Sequence, residues 1–326
     1  MNFAIEPTNL AVGIQEFGGP NVLGVIKRAM PRPLSDQVLV RVHAATVNPT
    51  DTLFRTGAQT GRMAGLTPPF TPGMEFAGQV VALGNVPGDL PEFQVGDRVA
   101  GVVAPWQSKG DAQARFVASP LSGLAHIPAS MKYDEAATVP MNGLTALMAV
   151  KLLGLEPGSR VLVTGGTGAL GGYSISLASH LGYRVIADGY PDDAALLTGL
   201  GAEVVVPRGQ GTVDAVRTLL PEGVDGIIDG ARLGTAVTNL LRDGGVFVQV
   251  RREPPTSDRR IRYETIMVTD HRDNTAAIRQ AIELAANGII RPRVAQRLPM
   301  EQAADAHRLV EKGGLRGRVV LLFEDQ

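Results

Sequence analysis

Gly166, Gly168 and Gly171 stand at the spacing G-x-G-x-x-G within Gly165-Gly166-Thr167-Gly168-Ala169-Leu170-Gly171-Gly172. The stretch before them, Arg160 to Thr164, reads as a strand, and the stretch after them as an amphipathic helix. In that setting the first glycine permits a tight turn, the second lets backbone approach a pyrophosphate, and the third lets the helix pack on the strand. Amides of the first helical turn then face the anion. The same arrangement calls for an acid about 20 residues on, bonding the adenine ribose hydroxyls. Asp188 closes Arg-Val-Ile-Ala-Asp, 22 residues after Gly166. A carboxylate there favours NADH because it repels a ribose 2′-phosphate, unless it is only a turn former before Gly189. Arg208, after the next strand, is the group that would pair with a 2′-phosphate. If the strand runs one residue further than Asp188, that carboxylate turns to solvent and Arg208 holds the phosphate.

Other chemistries are excluded by what is missing. The chain has no cysteine, so disulfides, thiolate nucleophiles and thiolate-bound metals are absent. Its five histidines (His43, His126, His180, His271 and His307) show no ligand spacing, and no G-x-S-x-G suggests a hydrolase. Lys and Arg total 31 against 32 Asp and Glu, so no positive field gathers nucleic acid or anionic membrane, and a small-molecule substrate is expected. The first 18 residues carry acid and proline where a signal peptide needs a basic flank and an apolar core. No run approaches the roughly 18 apolar residues of a membrane span, and a cytoplasmic location is expected.

At 326 residues, 44% of them hydrophobic, the chain is long enough for two domains. From about residue 10 to 126 short apolar runs (38–42, 79–83, 98–103 and 114–118) are separated by Gly, Pro, Asn and Asp, which predicts a mostly β region. Between about 130 and 270 short strands (161–163, 184–187, 204–206, 226–228 and 246–250) alternate with helical stretches (169–181, 193–200, 213–220 and 233–241). That alternation produces right-handed crossovers and a parallel sheet. The last 55 residues hold two helices, 275–287 and 300–311, and strands near 293–298 and 318–323.

Several stretches together resemble the quinone oxidoreductase branch of the medium-chain dehydrogenase/reductase family: Val-Asn-Pro-Thr-Asp (47–51), Pro-Gly-Met-Glu-Phe-Ala-Gly (72–78), Val-Gly-Asp-Arg-Val (95–99), Gly-Leu-Thr-Ala (143–146), the glycine loop, Leu-Gly-Ala (200–202) and Gly-Arg-Val-Val-Leu (317–321). The resemblance implies an α/β protein. A GroES-like β-rich catalytic domain would comprise 1–129 and 270–326, and a Rossmann doubly wound parallel-sheet domain 130–269, with hydride transfer between them and a homodimeric state. Zinc-dependent relatives carry ligands where this chain has Asn48, Met74 and Met141, and an amide with two thioethers is a poor zinc site. The resemblance therefore implies a zinc-independent reductase of quinones or α,β-unsaturated carbonyl compounds, with NADPH expected ahead of NADH. A dinucleotide-binding redox sensor or structural protein without catalysis is the alternative.

Asn48 also reads as a helix N-cap before Pro49. Thr145 resembles the family threonine beside the nicotinamide, and Glu75 the acid next to the lost ligand; helix packing and an arginine partner are their structural readings. Many relatives carry a tyrosine after the Asn-Pro-x-Asp segment. Here the chain reads Leu53 to Gln59 without one, so that Gln59, Arg55 or water is the donor to a developing enolate, or thioester reduction, the reaction of some of those relatives, is not the one catalysed. Candidate catalytic residues are thus Asn48, Thr145 and Gln59. Candidate cofactor contacts are Thr145, Gly165, Gly166, Thr167, Gly168, Ala169, Leu170, Gly171, Asp188, Arg208 and Val250.

Overall fold

The leading part of the chain, read from the sequence as mostly β, contains β1 (Thr8–Ile14), β2 (Leu23–Ala29), β3 (Gln37–Val47), β4 (Glu75–Leu83), β5 (Arg98–Val102), β6 (Phe116–Pro120) and β7 (Leu124–His126). Helix α1 (Pro49–Arg55) interrupts them, and α2 (Tyr133–Ala136) follows. The computed structural model describes residues 8–84, 92–106, 111–250, 256–257 and 259–323, so residues 1–7 of the N-terminal stretch considered above lie outside it. Strand β3 is buried along nearly its whole length because it pairs with both β4 and β6, and its valines meet Phe76, Val80 and Val117 in one core. Truncating a fully buried ring such as Phe76 to alanine typically costs about 3–5 kcal/mol.

Helix α3 (Pro140–Leu153) leads into the alternating region: β8 (Arg160–Thr164), α4 (Ala169–His180), β9 (Arg184–Gly189), α5 (Ala194–Gly199), β10 (Val204–Pro207), α6 (Gln210–Leu219), β11 (Val224–Asp229), α7 (Thr235–Thr238), β12 (Leu241–Gln249) and β13 (Arg262–Thr265). The six strands form one parallel sheet in the order β10-β9-β8-β11-β12-β13. The chain leaves β8 toward β9 on one side and later returns to β11 on the other, which makes the carboxyl end of β8 the switch point where such sheets bind ligands. The sequence missed β13, whose Arg-Tyr-Glu-Thr at the sheet edge lacks an apolar run. The helix expected over 233–241 is confined to α7. The Asp229 carboxylate accepts the amides of Leu233 and Gly234 and holds that segment in a turn, while Leu241 already pairs with Val224.

In the tail, α8 (Thr275–Ala286), β14 (Val294–Pro299), α9 (Ala303–Lys312) and β15 (Arg318–Leu322) follow. Strand β15 pairs antiparallel with β3, and β14 joins beyond it, so the tail completes the sheet begun by β3 to β7. Two compact units result. One takes in the described residues up to Met141, Arg272–Ile282 and those from Pro292 onward; the other takes in Asn142–His271 and Glu283–Arg291. Among the described residues no helix is long and apolar enough to cross a membrane.

Candidate functional site: a glycine loop and a buried polar cluster

The glycine loop joins β8 to α4, with Gly168 as the N-cap at φ −71° and ψ 171°. Two of its glycines are needed for different reasons. A Cβ at Gly171 would lie 2.1 Å from the Gly165 carbonyl oxygen and 2.9 Å from the Gly166 Cα, so the helix sits on the loop backbone with no room for a side chain. A Cβ at Gly168 would meet only the Gly165 carbonyl oxygen, at 3.3 Å, and the backbone there is ordinary extended chain. The protein restricts Gly168 far less than Gly171, since the Gly165 carbonyl need give by only a few tenths of an ångström, and a bare backbone at that position suits a ligand seated on it. Amides at the start of α4 lack intrahelical acceptors and carry the positive end of the helix dipole. The loop therefore fits a dinucleotide pyrophosphate.

Strand β9 runs through Gly189, one residue past Asp188, yet Asp188 does not turn to solvent: it is fully buried. Its Oδ1 accepts the amides of Gly165 at 2.6 Å and Gly166 at 3.2 Å, and its Oδ2 has no hydrogen-bond partner. Burial pushes its pKa upward, against the Gly166 amide, the Arg208 charge and the Gly165 amide, with Asp229 adding to the rise. Across β8 the second buried carboxylate, Asp229, ends β11 in register with Thr164. Its Oδ1 accepts Thr164 Oγ1 at 2.7 Å and the Leu233 amide at 2.9 Å, and its Oδ2 accepts the Gly234 amide at 2.8 Å. Thr164 Oγ1 in turn accepts the Ala231 amide at 3.0 Å. Asp229 and Thr164 were missed from the sequence. The signal was present: Ile-Ala-Asp-Gly (186–189) and Ile-Ile-Asp-Gly (227–230) end two strands of the same sheet alike.

A different cluster lies in the first unit. Asn48 caps α1, and the Asp51 carboxylate bonds back to the Asn48 amide at 2.7 Å and onward to the Gly73 amide at 3.1 Å. The Asn48 side-chain Nδ2 donates to Thr46 Oγ1 at 2.9 Å and to Glu75 Oε1 at 3.1 Å, while its Oδ1 is buried with no hydrogen-bond partner. Glu75 Oε1 also accepts from Thr46 at 2.6 Å, and Oε2 accepts the Met141 amide at 2.8 Å. Asp51 and Glu75 are both fully buried. Burial lifts Asp51 to about 7 and raises Glu75, whereas the charge of Arg318 pulls both down.

Known proteins resemble the chain over nearly its full length. A model of the alcohol dehydrogenase GroES-like domain matches residues 34–149, and a model of zinc-binding dehydrogenases matches 200–321. The quinone oxidoreductase of Sus scrofa is 28% identical over 334 residues, covering 96% of this chain and 97% of that protein. The solved quinone oxidoreductase from Coxiella burnetii superposes with a TM-score of 0.84 at 26% identity, covering 97% of this chain and 100% of its own. This chain belongs to the medium-chain dehydrogenase/reductase family. It is an NAD(P)H-dependent oxidoreductase with a GroES-like β-rich domain and a Rossmann-type parallel sheet. A mycobacterial protein complexed with NADPH matches at TM-score 0.81 and 27% identity, over 96% of this chain and all of that one.

In this family member Asn48, Met74 and Met141 are all buried, and Glu75 draws the first and last together through its two oxygens. Among the described residues no group of three or more His, Cys, Asp and Glu is arranged to hold a metal ion. On the parallel sheet, Gly165 to Gly171 follow β8, Asp188 lies at the end of β9, Arg208 follows β10 and Val250 follows β12, all at one carboxyl edge. The Arg208 amide donates to the Gly189 carbonyl at 3.0 Å, and the residue is half-exposed. Thr145 lies buried in the second turn of α3. Gln59, half-exposed just past α1, has its Oε1 buried with no hydrogen-bond partner. Arg55, considered from sequence as a donor to substrate, is instead 1% exposed and ion-paired with Glu311 of α9.

Proposed function

We propose that the protein reduces quinones or α,β-unsaturated carbonyl compounds without zinc and with NADPH as its preferred cofactor. The observation that carries the zinc-free reading is the state of Asn48. Its two amide N–H groups are engaged by Thr46 and Glu75, and the neighbouring ligand positions hold the thioethers of Met74 and Met141. Neutral amide and thioether groups bind Zn²⁺ poorly compared with thiolate, imidazole or carboxylate. Without a Lewis acid to ionise an alcohol, reduction of a conjugated acceptor is the natural reaction, and the curated relative from Sus scrofa is named a quinone oxidoreductase.

The nicotinamide cofactor, when bound, supplies the hydride. The chain contributes the pyrophosphate seat at Gly168 and the first turn of α4. The preference for NADPH is supported by half-exposed Arg208, held beside Gly189 where it can meet a 2′-phosphate, whereas the unpartnered Oδ2 of Asp188 is the feature that would favour NADH. With Asn48 engaged inward, Gln59 takes the part of hydrogen-bond donor to the developing enolate oxygen.

Turnover of a panel of quinones and enones with each cofactor tests this reading. We expect kcat/KM to favour NADPH, with Arg208→Ala lowering it about tenfold for NADPH and little for NADH. Metal analysis should find no stoichiometric zinc, and chelators should leave activity unchanged. A preference for NADH in the wild type, or one tightly bound zinc per chain, overturns the corresponding part.

A further inference from the structure

Strand β6 pairs with β3 from Arg41↔Phe116 to Gln37↔Pro120, and just ahead of it the Val42 amide donates to the Arg115 carbonyl at 2.8 Å. Successive residues of an antiparallel pair turn their backbone groups to opposite sides, so the N–H and C=O of Phe116 and Ala118 point away from β3. Phe116 is satisfied by a side chain: Asn9 of β1 accepts its amide at 3.0 Å and donates to its carbonyl at 2.7 Å. Ala118 has no such partner among the described residues, although it is only 1% exposed. It lines a cavity of about 280 Å³. Buried backbone groups are nearly always hydrogen-bonded, so an N–H and a C=O left open beside a cavity point to an occupant.

The cavity also carries charge. Arg28, near the end of β2, lines it together with Arg32 and Asp111. Arg28 Nη1 is engaged by Asp111 and by Thr71 Oγ1, the latter at 2.9 Å, whereas Arg32 is exposed and makes no hydrogen bond or ion pair among the described residues. Two guanidinium groups against one carboxylate leave one positive charge for a ligand to match. Met30 and Phe116 contribute apolar wall. None of these residues belongs to the glycine loop or to the Asn48–Glu75 cluster.

We propose that this cavity binds a small acylated amino acid. Its amide N–H donates to the Ala118 carbonyl and one carboxylate oxygen accepts the Ala118 N–H, the exchange that a partner residue makes in an antiparallel pair. The negative charge is met by Arg32, and the apolar parts lie against Met30 and Phe116. A free amino acid fits less well, because its ammonium cancels the charge that the arginines leave unmatched.

Calorimetric titration of the whole chain tests this. It compares N-acetyl-leucine with N-acetyl-leucinamide, which lacks the charge, with isocaproate, which lacks the N–H, and with free leucine. N-acetyl-leucine should bind about tenfold or more tightly than each of the others. Arg32→Ala should remove its advantage over the leucinamide while leaving the melting temperature within a few degrees of wild type. Ala118→Pro removes the N–H and sets a ring at the cavity edge, on a strand side that tolerates proline, and should weaken N-acetyl-leucine about tenfold or more. Saturable binding that neither variant alters would put the ligand elsewhere and overturn the proposal, as would absence of binding at millimolar concentration or equal affinity for the four compounds. A peptide ending in leucine that binds about tenfold tighter than N-acetyl-leucine would make the cavity a seat for peptide termini and overturn the small-ligand assignment. If Ala118→Pro does not fold, the Arg32→Ala comparison decides.

Discussion

The glycine loop and the Asn48–Glu75 cluster both place carboxylates out of water, and they use them in opposite ways. At the loop, Asp188 accepts only backbone amides from residues adjacent in sequence, and the side-chain-free surface above is left to a ligand. At the cluster, Glu75 accepts a hydroxyl, a side-chain amide and a backbone amide from Thr46, Asn48 and Met141, and the chain itself fills the position. The first arrangement is a seat whose occupant comes from outside. The second is closed, with Glu75 supplying internally the contacts that knit these elements together. Substitutions in the loop should therefore separate folding from binding position by position, whereas those in the cluster should strike folding first.

The largest effect is expected at Gly171. Because an added Cβ would overlap backbone atoms that cannot rotate away, Gly171→Ala should cost several kcal/mol and lower the yield of folded protein sharply. A normal melting temperature for this variant would mean that α4 moves off the loop freely. Next comes Glu75→Ala, which strands three buried donors and should cost about 3–5 kcal/mol in denaturant unfolding, with Glu75→Gln recovering part. Equal stability of wild type and Glu75→Ala would erase the contrast between the regions.

Gly168→Val should leave the melting temperature within a few degrees of wild type, since valine tolerates that extended backbone, but raise the dissociation constant for the nucleotide about a hundredfold or more. Unchanged affinity would reduce the loop to a turn. The last effect concerns pH. Asp51 is raised from 3.8 to about 7, chiefly by burial. An acid whose folded-state pKa lies above its unfolded value stabilises the fold while it holds its proton. That contribution is full below about pH 4 and is lost as pH rises through about 7. Relative to Asp51→Asn, the wild type should thus lose about 3–4 kcal/mol over that interval, seen as a falling difference in melting temperature. Parallel curves would mean that Asp51 titrates as an exposed acid does.

By itself the sequence determined much of the second unit, because what defines it is local. Strand, loop and helix are consecutive from Arg160 to His180, the glycine spacing lies within eight residues, and apolar runs alternate with helical ones at a period that only crossovers satisfy. It also fixed the N-cap at Asn48, where Pro49 and Asp51 are immediate neighbours. The orientation of Asp188 was decided by tertiary structure: its position at the end of β9 was legible, but whether it faces solvent, a ribose or the loop depends on where β8 places Gly165 and Gly166. The same is true of Arg55, whose partner Glu311 lies 256 residues away, and of the convergence of Thr46, Glu75, Met141 and Arg318. Side-chain direction at a strand end and the choice of a buried polar partner depend on which distant backbone groups have lost water and need a hydrogen bond, and that is settled only when the strands have paired.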